Sequence, residues 1–339
     1  YSINQTITRC DHQKGARQKV GLEGKQFRAL SVDDRGTMLA DSLKLPKQVI
    51  PSMSELDVLT ENVIGKFVLG QSVIYDAKIN GDYRVLPMVT EEPSVVAAVN
   101  NAIKCFNKYG GIKASNDPCN TMSGQVLILK NGIPFEKIKA QINTMENELK
   151  DELAQQVDKL HRLIGRGGGF IGGFKITDLD QTMAVVEFEL DVQEAMGANI
   201  VSLVAETLGH QLKHAQHGQP FKFDTSVHIL SNDASNRKAY AKVEIPMTAL
   251  GNTLQNGHEV AKKIVQASRF AFLSSKRAVT HNKGTMNGVT AVALAMGQDT
   301  RAIEAAVHSY ASNKGLNGKY GPITTWQIAD DKLVGTIEI

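Results

Sequence analysis

Lys283 stands in the run Arg277-Ala278-Val279-Thr280-His281-Asn282-Lys283-Gly284-Thr285-Met286-Asn287-Gly288, just ahead of an apolar stretch. Cations, amides and two glycines are gathered in a short space. By sequence the run is expected to be a loop that can collect donors around an anion or a developing oxyanion. A plain solvated loop would use similar residues. Two acids stand in motifs of their own: Glu61 in Thr60-Glu61-Asn62-Val63-Ile64-Gly65, and Asp299 in Gly297-Gln298-Asp299-Thr300-Arg301. Taken singly, Asp299 suits the N-cap of the next helix, and Glu61 suits an exposed acid.

Two further patterns resemble ligand sites and are weaker. Gly167-Gly168-Gly169-Phe170-Ile171-Gly172 fits the dinucleotide string G-x-G-x-x-G, with Asp191 downstream. That mechanism needs a strand before the glycines and a helix after them, and the patterning here predicts the reverse. A turn that permits close approach of a backbone or ligand is the better reading. His210, His214 and His217 fall on one side of a helix at metal-ligand spacing. No acid accompanies them, so a solvated helix end near the negative pole is preferred, and no metal is expected.

These residues need a frame. Residues 1–60 read as polar and mostly helical. Ser72 to Met88 reads as a hairpin about Asn80-Gly81. Val95 to Phe106 reads as a helix, opened by Pro93 and acids and closed by Gly110-Gly111. A strand at Gln125–Leu129 is followed by a long charged helix over Pro134–Leu163. The glycine bend then leads into a strand ending near Ile176, and Met183–Val192 forms another. The helix Ala195–His214 carries an apolar stripe, Met196, Ile200, Val204, Leu208 and Leu212, and Phe223–Leu230 closes the set. The order is β-α-β-β-α-β, the ferredoxin-like pattern. Beyond it come a strand at Ala241–Pro246, helices over Gly257–Phe272, Ala291–Ala295 and Ala302–Ala311, and paired strands from Trp326 to Ile339.

Composition narrows the function classes. A chain of 339 residues, 42% hydrophobic and 22% charged, holds two globular domains or one elaborate one. A net charge of +3 and 6% aromatic residues argue against nucleic acid as partner and against an RNA-binding ferredoxin-like domain. Cys10, Cys105 and Cys119 make no disulfide framework and fit reduced thiols of a cytosolic protein. No apolar run reaches the ~18 residues of a membrane helix, and the start has no signal-peptide pattern.

Five segments taken together carry a family resemblance. They are Glu61-Asn62-Val63-Ile64-Gly65, Pro87 to Ala98 with Glu91-Glu92-Pro93-Ser94 inside it, Asp191 to Asn199, His281 to Gly288, and Gly297 to Ala302. In this order they resemble the hydroxymethylglutaryl-CoA reductases, in the soluble bacterial class II form. The resemblance implies an α+β fold. A large substrate-binding domain would span 1–111 and 229–339, with a ferredoxin-like cofactor domain inserted at 112–228. It implies NAD(P)H-dependent reduction of hydroxymethylglutaryl-CoA to mevalonate and CoA, in the mevalonate pathway of isoprenoid synthesis. It implies a homodimer with its sites at the subunit interface.

Roles follow from the same resemblance. Lys283 would stabilise charge on the thioester and then the aldehyde oxygen. Glu61 would donate the proton in the aldehyde step. Asp299 would lie between them and keep the lysine charged. Arg277, Asn287 and Asn232 would bind substrate. The turn Glu194, Ala195, Met196, Gly197 to Asn199 would meet the cofactor phosphates. No acid follows the triple glycine and Lys175 is near, which favours NADPH over NADH. The family's mobile C-terminal segment and its histidine have no match before Ile339, so the chain is expected to bind better than it turns over. Reverse operation in mevalonate catabolism, or a ligand-binding module without chemistry, are the alternatives.

Overall fold

The computed structural model describes residues 29–35, 58, 60–214, 221–251 and 253–339. Most of the helical region expected over 1–60, and His217, lie outside them. The chain divides into two compact units, Tyr1–Leu69 and Gly70–Ile339.

In the first unit Ser31 caps a turn: its Oγ accepts from Asp34 N at 3.1 Å. Arg35, 2% exposed, donates through Nε to Leu30 O and through Nη1 to Val63 O, at 3.1 and 3.0 Å. The segment carrying Glu61 is thus held at Val63, directly after Asn62 in the left-handed region (φ 60°).

The second unit opens with the expected hairpin. β1 (Gln71–Ile79) and β2 (Asp82–Val89) pair antiparallel about Asn80 and Gly81, both at positive φ. α1 (Pro93–Asn107) begins with Pro at its first position, and Gly110 and Gly111 at positive φ turn the chain away. Next come β3 (Lys113–Asn116), β4 (Thr121–Leu129), α2 (Phe135–Gln156), α3 (Asp158–Ile164), β5 (Gly169–Asp178), β6 (Met183–Asp191), α4 (Ala198–His214) and β7 (Asp224–Leu230). The single helix expected over 134–163 is in fact two. Val157 adopts extended angles (φ −106°, ψ 94°), and its buried side chain joins the core at the break.

The sheet order is β5-β6-β4-β7 with every neighbour antiparallel, which is the ferredoxin-like arrangement. Alternation along β4 sends Val126 and Ile128 inward, onto Ile138, Ile142 and Leu149 of α2 and Val204 and Leu208 of α4. Leu208 is 0% exposed in this cluster. Leu208→Ala should therefore cost about 2–5 kcal/mol of unfolding free energy. Denaturant melts measure this, and a loss below ~1 kcal/mol would mean that the helix does not close this core.

A second sheet, β3-β8-β10-β9, takes strands from both sides of that run: β8 (Ala239–Pro246), β9 (Thr324–Ala329) and β10 (Lys332–Glu338). β3 lies within the expected insertion 112–228, yet it pairs with β8. Three helices complete the unit: α5 (Leu254–Leu273), α6 (Ser275–Ala295) and α7 (Thr300–Ala311). The architecture is α+β.

Candidate active site

The run Arg277–Gly288, expected as a loop, lies wholly inside α6. Ser274 explains this: its Oγ accepts from Arg277 N and caps the helix, directly after it has closed α5. From there a continuous apolar edge carries the helix on. Met286 packs with Val307 and Ala311 of α7, and Ala291 packs with Ile74, Met88 and Val95 of the hairpin and α1. Donors expected from a flexible loop are therefore set at fixed angles on a rigid element. Lys283 and Asn287, one helical turn apart, share a face. Arg277 lies half-buried nearer the N-terminus, on another flank.

Lys283 points at an acid. Its Nζ lies 4.0 Å from Oε2 of Glu92, with the two side chains 67% and 49% exposed. Glu92 sits at the N-cap of α1 but makes no side-chain cap bond. Its carboxylate accepts from Ser94 Oγ, and its backbone N–H donates to Thr90 Oγ1. By sequence Glu92 is an acid marking a helix start. The missed signal was its place in a long shared motif, at a position where capping was not its only use. An exposed ion pair contributes about 0–1 kcal/mol, so stability does not account for the arrangement.

Asp299 is the N-cap of α7: its Oδ1 accepts from Arg301 N and Ala302 N, and Arg301 closes on both of its oxygens. The Ala302 N–H, followed by the Arg301 contacts, holds its carboxyl below the usual carboxylate range. The cation that it meets is Arg301, 3.1 Å from Oδ2. Glu61 is exposed and belongs to the first unit. Asn232 is exposed in the connection after β7.

The turn Glu194–Gly197 precedes α4, so the helix starts three residues later than the sequence suggested. Gln193 and Gly197 have positive φ. Asp191 Oδ1 fixes Gln193 N, and the Arg237 guanidinium faces the carbonyl oxygens of Ala195 and Met196 at 3.5 and 3.3 Å. The glycine run packs beside this turn. A Cβ on Gly168 would fall 2.6 Å from Asp191 O, whereas Gly167, at φ 88°, has open space around it. A helix precedes the glycines and a strand follows, so the string is not a Rossmann loop. The arrangement nonetheless fits an anionic dinucleotide. A glycine beside open space borders a helix start whose first N–H groups lack intrahelical acceptors.

His210 and His228 rings stack edge to face at 5.9 Å. Among the described residues no group of three or more His, Cys, Asp and Glu side chains could hold a metal ion.

A four-stranded ferredoxin-like sheet and, elsewhere in the same unit, a helix that carries an ammonium 4.0 Å from a carboxylate define an α+β protein with a candidate polar site. The profile of the hydroxymethylglutaryl-coenzyme A reductases matches residues 29–339, and the chain belongs to that family. It is 34% identical over 328 residues to the 3-hydroxy-3-methylglutaryl-coenzyme A reductase of Archaeoglobus fulgidus, spanning 92% of this chain and 70% of that one. To the probable reductase of Borreliella burgdorferi it is 33% identical, spanning 93% and 70%. A solved Streptococcus pneumoniae reductase superposes with TM-score 0.75 at 31% identity, over 94% of this chain and 85% of that one. A class II reductase from the same organism, bound to NADPH in open conformations, gives TM-score 0.75 at 33% identity, over 88% and 69%. These neighbours make the chain a class II reductase, an oxidoreductase.

Proposed function

We propose that the protein reduces (S)-3-hydroxy-3-methylglutaryl-CoA to mevalonate and free CoA with two hydrides from NADPH, and that it works as a homodimer in the cytoplasm. The observation that carries the chemistry is the Lys283–Glu92 pair, exposed where its stabilising value is small. The bound nicotinamide supplies the hydrides. The residues of the chain handle oxygen charge and protons. As the thioester carbon becomes tetrahedral, its oxygen gains negative charge, and the Lys283 ammonium meets it. The carbon–sulfur bond then breaks, the thiolate leaves and takes a proton from solvent to give free CoA, and the remaining aldehyde oxygen draws on the same ammonium in the second reduction. The alkoxide then takes a proton from a carboxyl: Glu61 is the donor that the resemblance implies, and Glu92, whose carboxyl lies 4.0 Å from the lysine, is the alternative. Glu61→Gln and Glu92→Gln, assayed side by side, decide between the two acids. Asp299, which the resemblance places beside the lysine, would supply negative charge that favours the charged lysine once its carboxylate turns from its present partner Arg301. Arg277, Asn287 and Asn232 bind the polar arms of the substrate.

The turn Glu194–Asn199 and the start of α4 would hold the cofactor phosphates. Lys175 lies 78% exposed and only 3.6 Å from Glu187, a surface pairing weak enough to yield to a phosphate. The NADPH found in the Streptococcus structure supports the same choice. Among the described residues no helix is long and apolar enough to cross a membrane. The test follows cofactor absorbance with hydroxymethylglutaryl-CoA as substrate. Consumption of two NADPH per CoA released is expected. One charged contact to the 2′-phosphate is worth ~1.5–3 kcal/mol, so kcat/KM should favour NADPH over NADH by about 10–100-fold. Oxidation of neither cofactor would overturn the reductase reading, and equal use of both would overturn the cofactor choice.

A further inference from the structure

We propose that Asn282 is the positioning residue that sets the rotation of α6 and so aims Lys283 at its working point; this rests on the role given to Lys283 above. Asn282 is 0% exposed in the middle of a helix, where a buried amide is costly unless every polar atom is bonded. All of them are. Nδ2 donates to Tyr320 Oη at 3.0 Å and to Gly321 O at 2.9 Å, and Oδ1 accepts from Ile323 N at 3.0 Å.

The partner segment is itself pinned. Gly321 N donates to Ala311 O at the end of α7, and a Cβ on Gly321 would collide with the backbone of Gly315. Ile323 is buried with Met286, Val307 and Ala311. Tyr320 Oη also shares a 2.7 Å hydrogen bond with His308 Nδ1, the two rings being stacked. One residue earlier, His281 Nε2 bonds Thr324 Oγ1. Two successive side chains of α6 therefore grip residues 320–324, and the third, Lys283, turns about 100° further round the helix to face Glu92. A lysine tip roughly 8 Å from the helix axis moves about 3 Å when the helix rolls by ~20°. Such a roll would nearly double the present 4.0 Å separation. A leucine at this position would fill the space without setting the angle.

The test is a double-mutant cycle on turnover with hydroxymethylglutaryl-CoA and NADPH, using Asn282→Asp, Tyr320→Phe and each of them combined with Lys283→Ala. Asn282→Asp keeps the volume and the acceptor for Ile323 N but removes the donors to Tyr320 and Gly321. It should lower kcat about 10–100-fold while KM changes less than ~3-fold; Tyr320→Phe, which removes one acceptor, should lower kcat about 3–10-fold. Because the effect acts through the lysine, neither change should cost more than ~2-fold in the Lys283→Ala background. Additive losses, or a loss confined to KM, would mean that Asn282 serves folding alone. If Asn282→Asp does not fold, the Tyr320→Phe cycle decides. An unreactive parent protein would sink the reductase reading instead, and crystal structures would then judge the positioning claim separately. Lys283 Nζ still within 4.0 Å of Glu92 in Tyr320→Phe would overturn it, and a displaced lysine would uphold it.

Discussion

Lys283→Ala is expected to lower kcat about 10²–10³-fold, the ~3–4 kcal/mol lost when a donor to a developing oxyanion is removed. The ammonium acts twice per catalytic cycle, on the thioester oxygen and on the aldehyde oxygen, so neither hydride transfer escapes the loss. Folding should hardly notice. The side chain is 67% exposed and its ion pair lies at the surface, so unfolding free energy should move by less than about 1 kcal/mol. Lys283→Arg sharpens the test. It keeps the charge, but a planar guanidinium on a longer stem cannot present the same point donor. Only partial recovery is expected, about tenfold above alanine. Steady-state kinetics beside a denaturant melt of each variant separates chemistry from stability. A Lys283→Ala enzyme with near-normal turnover would remove the lysine from the mechanism.

Loss of the proton-donating carboxyl should cost a further large factor, about 10²–10⁴-fold in kcat, and Glu92→Gln tests the acid that faces the lysine. Local structure makes the substitution clean. Glu92 makes no side-chain cap bond to α1, and Pro93 already sets the first turn. The glutamine carbonyl can still accept from Ser94 Oγ, as Glu92 Oε1 does now. The loss should persist when the aldehyde intermediate is supplied directly, since the proton is needed in that step. Glu61→Gln, assayed in parallel, discriminates between the two acids. A greater loss at Glu61 than at Glu92 would assign the proton to Glu61. Equal and large losses would mean that both act on one substrate.

Most of the strand and helix order was legible in the chain itself. Asn80-Gly81 announces its turn because both residues tolerate positive φ. The alternation of β4 and the stripe of α4 announce which faces are buried. The β-α-β-β-α-β order follows from those periods, and the long shared motifs identify the family. Glycine content is a poor guide at one point. Gly284 and Gly288 made the lysine run look like a loop, yet packing on the hairpin, α1 and α7 outweighs a helix penalty of about 1 kcal/mol per glycine.

The pairing of charges was beyond any local pattern. Period and propensity act over a turn or two of chain, whereas Glu92 and Lys283 meet only because α1 and α6 pack on one hairpin. For the same reason Glu92, legible in the chain only as an acid at a helix start, is found facing the amine. Asn282 looks like any helix-surface amide until residues 320–323 fold over it. Residue types and their order name the chemistry available to the chain, because side-chain pKa and hydrogen-bonding capacity belong to the residues themselves. Which of those groups stand within reach of one another depends on how distant segments pack, and only the folded chain contains that distance.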